Sequence, residues 1–180
     1  MDDLIICGLD TRLIAEFKKK MCNTFSMSDL GLLSYYLGIE VRQKPGEITI
    51  CQRAYANKIV EQCGMRGCNP VDTPMEQNSK LFPGRPDIAK DVTKFRSIVG
   101  SLRYLVNSRP DIAFAVGMVS RFMEWCTVEH WAAIKRIVRY VAGTSEYGCT
   151  YLNNTTAELE LLGYSDSDHA GDLEKAPLLS

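Results

Sequence analysis

The 180 residues carry 46% hydrophobic side chains and a net charge of −1, so the chain has the means to bury a core and is not of the strongly charged, disordered class. No apolar run approaches the ~20 residues that a membrane-spanning helix needs, and the first residues are acidic where a signal peptide is basic, so the expected compartment is cytoplasmic or nuclear. The charge excludes a globally basic nucleic-acid binder, and any such binding must rest on local clusters.

Asp2 and Asp3 are adjacent acids followed by the apolar run Leu4-Ile5-Ile6 and by Gly8. Like charges repel, so carboxylates displayed together at a hairpin tip fit a divalent cation held by hard oxygen ligands, Mg²⁺ first of all. A solvated N-terminus is the plain alternative. Asp10 is placed to cap a helix from Thr11 to about Cys22, with Ile14, Phe17 and Met21 at helical spacing and Lys18, Lys19 and Lys20 toward its C-terminal end, where they suit the dipole. Tyr35, Leu37, Ile39 and Val41 then alternate with Tyr36, Gly38, Glu40 and Arg42, and the alternation resumes at Ile48 and Ile50 after Lys44-Pro45-Gly46, which predicts a β-hairpin. A helix from about Arg53 to Cys63 presents Tyr55, Ile59 and Val60, with Gly64 as its stop.

The polar stretch from Glu76 to Asp91, with Pro83, Gly84 and Pro86, is the best linker candidate. Beyond it the period becomes helical. Phe95, Ile98, Val99, Leu102 and Leu105 mark one helix; Pro110 opens the next, marked by Ile112, Val116, Val119, Phe122 and Met123. Thr127 caps a third, whose Trp131, Ile134, Val138 and Val141 are expected to face inward and whose Gly143 ends it. Leu159 and Leu161 alternate with Glu158 and Glu160 in a last strand running into Tyr164-Ser165-Asp166-Ser167-Asp168. Seven scattered cysteines without a Cys-x-x-Cys pair read as reduced, mostly buried thiols. His130 is expected in the first turn of its helix and His169 exposed.

Lys135, Arg136 and Arg139 fall on one side of their helix, roughly opposite its apolar stripe. A solvated helix face explains them without further role. Between Arg85 and Tyr140, however, basic residues outnumber acidic ones by five, which favours phosphate contact. Tyr35, Tyr36, Tyr55 and Tyr104 have the chemistry to stack on bases, but aromatics at strand or helix spacing are more often core.

Several separate stretches then resemble one family. Met1-Asp2-Asp3 resembles the end of a Tyr-x-Asp-Asp polymerase motif. It is followed by Phe25-Ser26-Met27-Ser28-Asp29-Leu30-Gly31, Tyr36-Leu37-Gly38-Ile39-Glu40-Val41, Gln52-x-x-Tyr55 and Thr73-Pro74-Met75. Arg96-Ser97-Ile98-Val99-Gly100-Ser101-Leu102-x-Tyr104-Leu105, Arg109-Pro110-Asp111-Ile112-Ala113-x-Ala115-Val116 and Ala133-x-Lys135-Arg136-Ile137-x-Arg139-Tyr140-x-x-Gly143-Thr144 come next, and Gly163-Tyr164-Ser165-Asp166-Ser167-Asp168-x-Ala170-Gly171-Asp172 completes the set. In this order and spacing they resemble the Pol polyprotein of copia-type LTR retrotransposons, in which a reverse transcriptase precedes ribonuclease H.

That resemblance implies an α+β fold in three parts: a partial reverse-transcriptase palm over 1–76, a helical thumb and connection over 77–148, and the truncated start of an RNase H-like domain over 149–180. The implied reaction is RNA-templated DNA synthesis. Asp2 and Asp3 would be catalytic acids and Mg²⁺ ligands of the polymerase, Asp166 the first carboxylate and metal ligand of the ribonuclease H site, and the hairpin around Tyr36 to Ile50 the region that grips the primer. Lys135, Arg136 and Arg139 would face phosphates. The expected partners are an RNA/DNA primer–template duplex and other Pol segments, with no membrane and no small-molecule cofactor. The family's tyrosine ahead of the acids, its upstream palm and fingers, and the later acidic positions of ribonuclease H have no counterpart here, so both sites are expected to be incomplete and the isolated chain inactive. The stable part is then expected between about Thr93 and Gly143. A residual nucleic-acid-binding or protein-interaction module without catalysis is the alternative; a product that does not fold stably is a third.

Overall fold

The computed structural model describes residues 4–77, 81, 91–153 and 163, and it is a mixed α and β fold. Its first element, α1 (Thr11–Thr24), begins where expected, because Asp10 Oδ1 accepts from the amides of Arg12 at 2.8 Å and Leu13 at 3.3 Å. The helix runs two residues past Cys22, which leaves the lysines outside its last turn. No residue of α1 is buried, and Leu13 and Phe17 stay largely exposed.

The predicted strand through Tyr35 to Arg42 is broken. Leu37 and Gly38 adopt positive φ, +47° and +82°, and form a two-residue turn between β1 (Tyr35–Tyr36) and β2 (Ile39–Lys44). Two positive-φ residues in succession suit the right-handed twist of an antiparallel hairpin, and glycine takes the second at no steric cost. Alternation continues across such a turn, so the pattern alone reads as one strand. The turn at Pro45-Gly46, with Gly46 at φ +75°, leads to β3 (Glu47–Cys51) as expected.

Four helices form the core. They are α2 (Arg53–Gln62), α3 (Val92–Leu105), α4 (Ala113–Ser120) and α5 (Val128–Gly143), with a 3₁₀ turn at Pro110–Ile112. Gly64 takes φ +67° just past α2. All five apolar residues expected on α3 are buried, and Asp91 caps the helix through the Lys94 amide. The helix after Pro110 ends at Ser120 rather than Met123, and Phe122 is nonetheless buried. On α5 the buried stripe comprises His130, Ile134, Ile137, Val138 and Val141, while Trp131 is half-buried, edge-on to Phe95 at 5.6 Å. Thr127 caps α5 in a box whose reciprocal partner is His130. Its Nδ1 accepts from the Thr127 amide at 3.0 Å. The imidazole also stacks on Phe122 at 3.9 Å.

Ala56, Ile59 and Val60 of α2 join the same hydrophobic cluster as α3, α4 and α5, so the core extends across the polar stretch to the helix before it. A strand with no sequence forecast, β4 (Gly148–Leu152), pairs antiparallel with β3 and completes a sheet in the order β1-β2-β3-β4. Gly148 is required there, since a Cβ would stand 2.1 Å from the Ile50 carbonyl oxygen. The region expected as linker (78–80, 82–90) and the strand expected at 158–161 lie outside the described residues. All seven cysteines are free, but only Cys51 and Cys126 are fully buried, so the expectation of mostly buried thiols is corrected: most lie on α1, on loops or on the sheet, away from the helical core.

Candidate nucleic-acid interface

The buried stripe of α5 turns the opposite side of the helix outward, and Lys135, Arg136 and Arg139 lie there as their spacing requires. Lys135 is exposed. The two arginines are engaged within the chain. Arg136 Nη1 donates to Glu76 Oε1 at 2.9 Å and its Nη2 to Thr73 Oγ1 at 3.0 Å, while Arg139 Nε donates to the Asn69 carbonyl at 2.7 Å. Residues 69–76 thus form a strap along this face. It is pinned by apolar contacts at two points: Pro70 sits so close to Gly143 that a Cβ there would come within 2.6 Å of Pro70 Cβ, and Met75 packs against the core. The sequence placed the three cations on one face but gave no sign of partners some sixty residues away.

At the far end of α5 the structure assembles a cluster that the sequence quoted but could not interpret. Arg109 is 1% exposed. Its Nε and Nη2 grip Asp111 Oδ1 and Oδ2 at 2.9 and 2.7 Å, its Nη1 donates to the Thr144 carbonyl at 2.8 Å, and Nη2 also reaches Thr144 Oγ1 at 2.7 Å. The guanidinium lies 5.6 Å from the Tyr140 ring centroid and 5.4 Å from that of Tyr147. Tyr140 donates its hydroxyl proton to Asp111 at 2.9 Å. Partial burial works to raise the Asp111 carboxyl, but the Arg109 hydrogen bonds and charge, with the Tyr140 hydroxyl, hold it below the ordinary carboxylate value. Burial and the anionic acceptor push the Tyr140 hydroxyl up. This is a latch: it ties the start of α4 to the end of α5. Its one local signal was Arg-Pro-Asp, in which Pro110 presets the turn that brings Asp111 back onto Arg109.

A second set of contacts joins the sheet to the helices. Tyr104 donates to the Leu37 carbonyl, and Tyr55 stands edge-on to Tyr104 at 5.1 Å. Glu40 Oε1 accepts from the Ala54 amide at 3.3 Å, serving the α2 N-terminus where Gln52 supplies no side-chain cap. Gln52 instead accepts from the buried Ser108 hydroxyl at 2.8 Å. Tyr55 and Tyr104 therefore position the hairpin turn, while Tyr35 remains 61% exposed.

Asp2, Asp3 and Asp166, the three expected acids, lie outside the described residues, as does His169. Among the described residues no group of three His, Cys, Asp or Glu side chains converges to hold a metal ion, and no helix is long and apolar enough to cross a membrane.

The mixed α and β fold is consistent with the α+β class that the polymerase resemblance implied. Residues 1–77 match the family model described as reverse transcriptase (RNA-dependent DNA polymerase). The chain is 38% identical over 97% of its length to the retrovirus-related Pol polyprotein from transposon RE2 of Arabidopsis thaliana, and 40% identical over 96% to that from transposon RE1 of the same plant. It spans 12% of the length of each. An uncharacterized mitochondrial protein of Arabidopsis thaliana is 36% identical over 95% of the chain, which covers 70% of that protein. The chain belongs to the copia-type retrotransposon Pol polyprotein family. No solved structure matches it.

Proposed function

We propose that this chain is the nucleic-acid-gripping part of a retrotransposon RNA-directed DNA polymerase: the C-terminal portion of the palm, the thumb and connection, and the start of a ribonuclease H domain. The observation that carries the reading is the outer face of α5, where Lys135, Arg136 and Arg139 are held in line by a helix whose opposite side is fully buried. A rigid row of cations matches the spacing-tolerant, sequence-independent contacts that polymerases make to phosphates, and the reverse-transcriptase match makes a primer–template duplex the substrate to test. In this reading Asp2 and Asp3 would hold Mg²⁺ for the polymerase and Asp166 for the ribonuclease H. Such ions lower the pKa of an attacking hydroxyl and neutralise charge at phosphorus. The described residues of this chain would bind and orient the duplex.

Titration of a labelled RNA/DNA duplex against salt is the direct test. Binding should lack sequence preference and weaken steeply as salt rises. Lys135→Glu, which disturbs no internal contact of the two arginines, should weaken it roughly tenfold at low salt. Unchanged affinity with the amide spectrum intact would favour the second reading, a protein-interaction module. The unburied apolar side of α1, with Leu13 59% and Phe17 45% exposed, supports that alternative.

A further inference from the structure

We infer that Arg136 and Thr73 form a subsite for a backbone phosphate, and that Glu76 fills it from within the chain as a carboxylate stand-in. This rests on the nucleic-acid reading above and deepens it. Arginine binds phosphate and carboxylate best through a two-pronged fork. Arg136 has no such partner: one nitrogen meets a single Glu76 oxygen at 2.9 Å, the other meets the Thr73 hydroxyl at 3.0 Å, and its buried Nε has no hydrogen-bond partner. Its internal partners therefore leave the guanidinium under-satisfied. Thr73 accepts from Arg136, so its own hydroxyl proton remains available to an incoming oxygen.

The two halves of the arrangement differ in how firmly they are held. The Arg136 side chain is 29% exposed and lies on the rigid outer face of α5, whereas Glu76 is 71% exposed at the end of the strap. An ion pair with so exposed a carboxylate is weak, weak enough for a backbone phosphodiester, whose single charge is shared by two free oxygens and held in place by its neighbours, to displace. The strap need not open for this. Pro70 against Gly143, Met75 against the core and the Arg139 bond to the Asn69 carbonyl keep it seated while the Glu76 side chain alone swings away. Thr73 stays in place to donate, and exposed Lys135 adds charge alongside. Glu76 thus acts as a selective gate. It excludes isolated small anions and yields to a nucleic-acid backbone, whose neighbouring phosphates, bound alongside, add to the exchange.

The test uses the full chain with Glu76→Gln, which keeps the shape and removes the charge, beside Glu146→Gln, which removes the same charge from the remote ion pair with Arg53. Labelled RNA/DNA duplex should bind Glu76→Gln roughly three- to tenfold tighter than the unaltered chain, with Glu146→Gln gaining much less. Adding Arg136→Lys to Glu76→Gln should cancel the gain, because a lysine keeps the charge and loses the fork. Equal gains in the two glutamine variants would reduce the effect to net charge and overturn the subsite. A second readout separates this inference from the nucleic-acid reading: the Arg136 Nε–H resonance, followed during titration with inorganic phosphate. A shift in Glu76→Gln that is weak in the unaltered chain, without duplex binding by either, would uphold the anion subsite and sink the nucleic-acid reading. Duplex binding with no shift and no gain would do the reverse.

Discussion

The helices α2 to α5 and the segment made of α1 and the sheet are patterned equally well, yet they differ in what covers them. Phe95, Val99 and Leu102 on α3 are sealed completely, whereas α1, with apolar residues at the same helical spacing, buries none. One face of the sheet behaves like α1. Register puts Val41, Ile50 and Cys149 in one row and Gln43, Ile48 and Tyr151 in the next but one, on a single face, yet none of these side chains is buried and Ile48 is 44% exposed. Periodicity thus defines an apolar face, and only a neighbour makes it a core.

The largest test of that contrast is a matched pair of truncations. Phe95→Ala should cost ~3–5 kcal/mol through lost burial and a cavity, while Phe17→Ala should stay within ~0.5 kcal/mol, both read from urea unfolding. A cost above ~1.5 kcal/mol for Phe17→Ala would mean that α1 is packed in solution and would erase the distinction.

Next comes the latch. Arg109→Met should cost ~3–5 kcal/mol, because it strands the Asp111 carboxylate and the Thr144 carbonyl that Arg109 serves. Arg53→Met, which breaks only the exposed pair with Glu146, should cost far less. Equal costs would show that the latch is no stronger than a surface pair.

A smaller effect separates the two caps. Thr127→Ala should lower global stability by ~1 kcal/mol, since α5 unfolds with the core. Asp10→Ala should instead fray α1 alone, seen as faster amide exchange at Arg12 and Leu13 with an unchanged global transition. A shared loss of global stability would place α1 in the same cooperative unit as the core.

The finest prediction concerns acid. The Asp111 carboxyl is held below its ordinary value near 3.8, so its contribution is complete above that pH and is lost as pH falls through the lower folded value. Asp111→Asn should make unfolding less sensitive to pH below about 4. An unchanged slope there would show that the Arg109 contact persists with a protonated partner.

Much of the helical half was legible because its signals are local. Thr127 caps, Gly64 stops α2, α5 ends at Gly143 where expected, and the spacing of Phe95 to Leu105 names the buried face of α3; each acts within a turn or two of its own position. The order of short motifs from Phe25 to Tyr140 likewise carried the family, which the comparisons bear out. Less of the sheet could be read. Alternation is blind to a two-residue turn, so Leu37-Gly38 was hidden inside it, and Gly148 to Leu152 becomes a strand only because the distant β3 edge is there to pair with it.

The candidate interface divides along the same line. Sequence by itself determined that Lys135, Arg136 and Arg139 share one helix face, because 100° per residue is a property of the helix alone. Only the tertiary structure decided that Glu76 and Thr73 would meet Arg136, that Asn69 would meet Arg139, and that Arg109 would close on Thr144. Those partners lie 35 to 70 residues apart, and no local preference of the chain encodes them. They come together because α2, α3, α4 and α5 bury their apolar faces in one cluster, which brings residues distant in the chain side by side at its surface.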